Sequence, residues 1–214
     1  MSFALRTRLA LAIVLPAILW SARSAANAQT AAPATNCVAV AAPISATQPG
    51  LHGISNFGQV TPMLFRGGQP TTEGYRELKQ MGIDTVVSFR HEKGENTLER
   101  RAVEALGMRF ISLPWHAWND PTDQQVRQFF ALLGSSPNSK VYVHCQQGCD
   151  RTGAMVALYR VAVDHWCPAS AVTEMKAYHY HHFWFPRLET YVENFPQRLA
   201  NDQGLAASIS STQR

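Results

Sequence analysis

Cys145 and Arg151 stand six positions apart in the stretch Val141-Tyr142-Val143-His144-Cys145-Gln146-Gln147-Gly148-Cys149-Asp150-Arg151-Thr152-Gly153. A thiolate is a strong nucleophile, and a neighbouring guanidinium favours that form of the thiol. The same guanidinium can hold two oxygens of a phosphate-like anion through parallel hydrogen bonds, which a lysine cannot do. Gly148 permits backbone angles closed to other residues. Thr152 can offer its hydroxyl to the Cys145 sulfur. The chemistry this set suits is attack of sulfur on a bound oxyanion whose charge Arg151 balances.

Such groups act together only if the backbone holds them. Val141–Val143 reads as an apolar strand, and Ala154 to about Val163 as an apolar helix. The loop between them, Gln146, Gln147, Gly148 and Cys149 with Gly153 behind, would turn its N–H groups inward. A helix N-terminus adds positive potential, so this is a natural anion cradle. Upstream, Phe57–Val60 and Met63–Phe65 read as strands, Thr71 opens a helix to about Met81, and Gly82 closes it. Ile83–Phe89 is a β-branched strand ending in Arg90. Asn96 with Glu99 reads as a capping box for a helix to Leu106, and Met108–Leu113 as the next strand. Thr122 with Gln125 caps a helix to Leu133. Pro168 starts another to about Tyr178, and Pro186–Leu199 is a last amphipathic segment. Alternating strands and helices predict a single α/β domain, its mostly parallel sheet flanked by helices on both faces. Ligands bind such sheets at the strand C-terminal ends, which puts Arg90, the loop after Leu113 and the loop after His144 on one rim.

His-Cys-x5-Arg-Thr-Gly, between that strand and that helix, resembles the signature of the cysteine-dependent protein tyrosine and dual-specificity phosphatases. The blocks Phe65–Pro70 and Gly82–Arg90 are similar to the compact atypical members of plants, fungi and bacteria. The resemblance covers about Asn56–Leu199. It implies a phosphocysteine intermediate on Cys145, phosphate binding by Arg151 and the loop, support of the thiolate by Thr152, His144 behind the cysteine, and no metal or other cofactor. For the proton to the leaving group, two carboxylates stay open. Asp120 lies in the loop Pro114–Pro121, and Asp150 stands where myotubularin-type lipid phosphatases carry a proposed acid. Arg90, Lys93 and Arg151 are candidate phosphate contacts, and Trp115 and Trp118 candidate cleft walls. Phosphotyrosine-type protein substrates lead, with inositol polyphosphates second. A phosphate-binding module with weak turnover and a sulfurtransferase are the readings of other classes.

Residues 1–28 read as a signal peptide. Arg6 and Arg8 precede the apolar Leu9–Trp20, and Ala26-Asn27-Ala28 forms a cleavage site after Ala28. The expectation is an exported, periplasmic or secreted protein with no stable membrane span after cleavage. Arg6, Arg8 and Arg23 supply three of the net charge of +4, so the mature chain has no broad cationic face and nucleic acid is not an expected partner. Residues 29–55 read as a flexible lead-in, 56–200 as the phosphatase domain and 201–214 as a loose tail. In an oxidising compartment Cys37 and Cys167 could pair, and Cys149 is either a resolving thiol for Cys145 or a small loop residue. Among His179, His181 and His182 only the first and last have helical spacing, a poor metal set.

Overall fold

The structure, a computed structural model, describes residues 37–40, 51–135, 138–210 and 212, without the side chain of Lys93. The expected signal peptide, its expected cleavage site and most of the expected lead-in lie outside these residues. In chain order the elements are β1 (Gly58–Gln59), β2 (Leu64–Gly67), α1 (Thr72–Gln80), β3 (Ile83–Ser88), α2 (Lys93–Ala105) and β4 (Arg109–Ser112). Then come α3 (Asp123–Ser135), β5 (Lys140–His144), α4 (Asp150–Ala162), α5 (Pro168–Ala177), α6 (Pro186–Glu193), α7 (Phe195–Asn201) and α8 (Gln203–Ser210). The strands form one sheet in the order β1-β2-β5-β3-β4, parallel except for β1.

The period of two in a strand divides the core between the sheet faces. Phe65, Ile83, Val86, Phe110 and Tyr142 meet Tyr75 and Leu78 of α1 and Val103 of α2. Leu64, Val87, Val141 and Val143 turn the other way, onto α3 and the helices from α4 to α8. Helix α4 is central on that side. Ala154 through Leu158 are fully buried in succession, so it is apolar on every face. In the register, His144 at the end of β5 sits between Gly67 of β2 and Ser88 of β3. The C-terminal ends of all four parallel strands therefore meet at one rim, as the α/β reading requires.

Four expectations need correction. Asn96 and Glu99 do not cap a helix, because α2 already begins at Lys93. Asn96 Nδ2 instead donates to the Arg90 carbonyl (3.0 Å) and Ser112 Oγ (3.2 Å), and Glu99 turns inward. The segment Pro186–Leu199 is two helices broken at Asn194, because Pro196 offers no N–H to continue the ladder. The tail is not loose up to Ser210. Leu205 and Ile209, one helical turn apart, are buried against the α3 side of the core. Asp202 accepts from the Leu205 N–H, and Thr212 Oγ1 donates to the Phe130 carbonyl. Order also begins before Asn56. The Thr71 N–H donates to the Gly53 carbonyl, Ile54 is buried, and Cys37 is joined to Cys167 by a disulfide. The Thr122–Gln125 capping box does form, with reciprocal bonds of 2.8 and 3.3 Å.

Candidate active site

Five residues, Cys145–Cys149, carry the chain from the end of β5 into α4. They fit because Gly148 has a φ of +76°; a Cβ there would lie 2.4 Å from the Gly67 carbonyl carbon. The loop is pinned to the end of β2 by Gln69 N–H on the Gln146 carbonyl (3.0 Å) and by Arg66 Nη2 on the Gly148 carbonyl (2.9 Å). Among the described residues no protein acceptor takes the N–H groups of Gln146, Gln147, Gly148 or Cys149. With the N-terminus of α4 they make the predicted anion cradle.

The cradle opens into a cleft of about 420 Å³ lined by Cys145, Gln146, Gln147, Asp150 and Arg151, with Ala117, Trp118, His181, Trp184 and Phe185 as walls. Cys145 is buried at its floor. Arg151 Nη1 is fixed by the carbonyls of Phe89 (3.1 Å) and Trp115 (3.2 Å) and lies 3.2 Å from His91 Nδ1. Two loops of the rim thus orient the guanidinium. His91 stacks on His116 at 3.5 Å. Desolvation, with the His116, Arg151 and Arg90 charges, pushes His91 below its ordinary value against the pull of Glu92. A neutral imidazole can accept from Arg151, which suits the geometry.

Behind the cysteine, His144 Nδ1 lies 3.1 Å from the Cys145 carbonyl. Its Nε2 stands 2.7 Å from Glu99 Oε1, off the line of a hydrogen bond. Tyr75 donates to the same oxygen (2.8 Å). Burial alone would raise the Glu99 carboxyl, but His144, Tyr75 and Gln69 outweigh it and hold it below the ordinary range. The cysteine backbone therefore rests on a buried polar chain that runs to α1 and α2. Arg66 lies under the loop, its guanidinium 3.8 Å from the centre of the Tyr178 ring. Cation–π contact and the Gly148 carbonyl hold it there, and Nε and Nη1 have no protein partner.

Other predicted residues fall elsewhere. Arg90 does not line the cleft, because Glu92, Glu95 and Gln69 already engage its guanidinium. Gly153 lies within α4 and does not line the cleft; a Cβ there would make an ordinary contact with Met175 at 3.6 Å. Cys149 sits behind the cradle, near Asn56 Nδ2 (3.5 Å) and the Gln147 carbonyl (3.6 Å). Burial, then the Asp150 and Cys145 charges, push its thiol up to about 11. Thr152 Oγ1 is buried with no partner, so the expected bond to sulfur is not made. Trp115 is buried in the core and contributes only its carbonyl, whereas Trp118 stands at the cleft. Asp120 lines a different depression and pairs with Arg187 (3.1 Å). Asp150 is the carboxylate of the cleft, paired with His181.

Sequence reasoning missed His91, Glu99 as a site residue, His181 as a partner of Asp150, Trp184 and Phe185. The run His179–Phe185 carried a signal, a dense patch of histidine and aromatic residues, but nothing in it pointed to the cleft.

The family described as a DSP-PTPase phosphatase fused to NAD+ kinase matches residues 49–186. The dual specificity protein phosphatase TpbA of Pseudomonas aeruginosa is 31% identical over 169 residues, covering 79% of this chain and 71% of that protein. Dual specificity protein phosphatase 26 of Rattus norvegicus is 30% identical over 122 residues, which is 55% of this chain and 57% of the relative's length. Among solved structures, a cysteine-to-serine variant of P. aeruginosa TpbA in complex with phosphotyrosine superposes with a TM-score of 0.56. It is 25% identical and covers 68% of this chain and 91% of that one.

Proposed function

The chain belongs to the DSP-PTPase phosphatase family, and from that premise we propose a tyrosine or dual-specificity protein phosphatase that works through a phosphocysteine intermediate. One observation carries the reading: Cys145 lies on the floor of a cradle of open N–H groups, with Arg151 fixed beside it and aromatic walls above. In the first step Cys145 sulfur attacks phosphorus in line with the leaving oxygen. Arg151 and the amides of Gln146, Gln147, Gly148 and Cys149 take the charge on the equatorial oxygens. Water then attacks the phosphocysteine and releases phosphate. His144 and Glu99 hold the cysteine backbone, and the Asp150–His181 pair is the proton source.

Trp118, Trp184 and Phe185 around the cleft suit an aromatic phosphoester, and the phosphotyrosine complex of the TpbA variant supports that substrate class. Arg151 is the one arginine or lysine lining the cleft among the described residues, a weak match for an inositol polyphosphate, which stays second. We further propose a bacterial, exported enzyme. The signal-like N-terminus supports it, as does the Cys37–Cys167 disulfide, a bond typical of oxidising compartments.

The test is turnover of an aryl phosphate, a phosphotyrosine peptide and inositol hexakisphosphate by the mature protein, with and without EDTA. Phosphotyrosine turnover that survives chelator is expected. Activity confined to the inositol phosphate, or lost on chelation and restored by zinc, would refute the proposal.

A further inference from the structure

The Asp150 carboxylate is an acceptor on both oxygens. Oδ1 takes the backbone N–H of His181 at 2.9 Å, and both oxygens stand 3.1 Å from His181 Nδ1. A carboxyl group acting as an acid must turn a hydroxyl towards the leaving group, and here both oxygens face His181. The imidazole has the complementary arrangement. Nδ1 faces Asp150, so Nε2 is the open edge of a ring that is 41% exposed and lines the same cleft as Cys145 and Arg151. A carboxylate that fixes one ring nitrogen while the other moves a proton is a recurrent catalytic unit. Free imidazole titrates near neutrality, where an ordinary aspartic acid is already ionised.

The turn between α5 and α6 holds the ring in place. His179 carries a φ of +60°, Trp184 and Phe185 both return N–H bonds to the His181 carbonyl at 3.0 Å, and Tyr180 bridges to Glu189 N–H at 3.2 Å. Among the described residues, the charged and titratable side chains sharing the cleft are Asp150 and Arg151 from α4 and Cys145 from the loop, and Asp150 alone is in ion-pair contact with the ring.

We infer that His181 delivers the proton to the leaving oxygen and that Asp150 is its positioning partner. The inference rests on the phosphocysteine reading above and specifies its acid. As the S–P bond forms and the P–O bond breaks, that bond's electron pair leaves on the alcohol oxygen, which takes the Nε2 proton. In the second step neutral His181 takes a proton from water as the water oxygen attacks phosphorus. The S–P bond then breaks, returning Cys145 as thiolate and His181 as imidazolium, with phosphate as product.

The test compares His181→Gln and Asp150→Asn on a phosphotyrosine peptide and on dinitrophenyl phosphate, whose leaving group departs without a proton. His181→Gln should slow the peptide by about 10²–10⁴ with little change on the activated ester, and should abolish the alkaline limb of the kcat/KM profile. Asp150→Asn should keep that limb but slow the peptide more than the activated ester, because the ring is no longer held by the carboxylate that faces its Nδ1. Melting temperature and vanadate binding check that each variant is folded with its cradle intact. A limb that survives in His181→Gln but vanishes in Asp150→Asn makes Asp150 the donor. Equal losses on both esters with an unchanged profile make His181 structural, and either result overturns the inference. If phosphocysteine still forms in wild-type protein under those results, the family mechanism stands without this acid. Turnover by Cys145→Ser would remove both.

Discussion

In the proposed mechanism four side chains lining the cleft have separable jobs: Cys145 forms the bond, Arg151 holds charge, Asp150 orients and His181 faces the leaving group. Cys149 shows how strongly position decides chemistry. It is four residues from Cys145, yet it is buried behind the cradle with its thiol pushed up to about 11. Iodoacetamide near neutral pH should therefore label Cys145 and leave Cys149 intact, with Cys149 reacting only as the pH approaches that value; peptide mass spectrometry reads the site. Equal labelling at neutral pH would contradict this assignment, and would also revive Cys149 as a resolving thiol. The cysteine, the arginine and the glycine between them were legible in the sequence because their spacing is local. Arg90 was misread for the converse reason. Its engagement by Glu92 and Glu95 depends on where α2 begins, and a sequence shows that boundary poorly. The Asp150–His181 pair joins residues far apart in the chain that only folding brings together.

At the scale of elements, the site is a strand end, a loop and a helix start held by what lies behind them. Helix α4 aims Arg151 and carries the cradle, and it is fixed by burial of Ala154 through Leu158. Leu158→Ala should destabilise the protein by about 2–5 kcal/mol, the usual cost of a large-to-small change in a packed core. Denaturant unfolding measures it, and a loss well under that range would mean α4 is less central than its burial indicates. Thr122→Ala, which removes the capping box of α3, should cost about 0.5–2 kcal/mol and leave turnover unchanged, since Thr122 lines no part of the cleft. The box at Thr122 was readable because both partners are free to serve the cap. The look-alike at Asn96 was not a cap, because its amide serves the Arg90 carbonyl and its Glu99 serves His144. Nothing in the local pattern distinguishes the two.

For the whole molecule, the alternation of strands and helices gave the parallel sheet and placed its functional rim correctly. What it missed lies at the ends of the chain. Leu205 and Ile209 are two apolar residues in a polar tail, too few for a periodic signal, and their burial depends on a partner surface made by α3. The other end is tied by Cys37–Cys167, a pairing that sequence left open, together with the Val38–Trp166 bridge. That bond spans 130 residues and closes a long loop of the unfolded chain. Losing it should cost about 2–5 kcal/mol. A Cys37→Ser, Cys167→Ser double variant should melt at a lower temperature than oxidised wild type yet keep its kcat/KM below the transition. An unchanged melting temperature would show that the bond adds no stability.

The central claim is that phosphate passes through Cys145. A phosphotyrosine peptide mixed with the protein and quenched in acid within one turnover should leave one phosphoryl group on the tryptic peptide containing Cys145, visible by mass spectrometry and absent from Cys145→Ser. Turnover without any such adduct, or an adduct on another residue, would contradict the account.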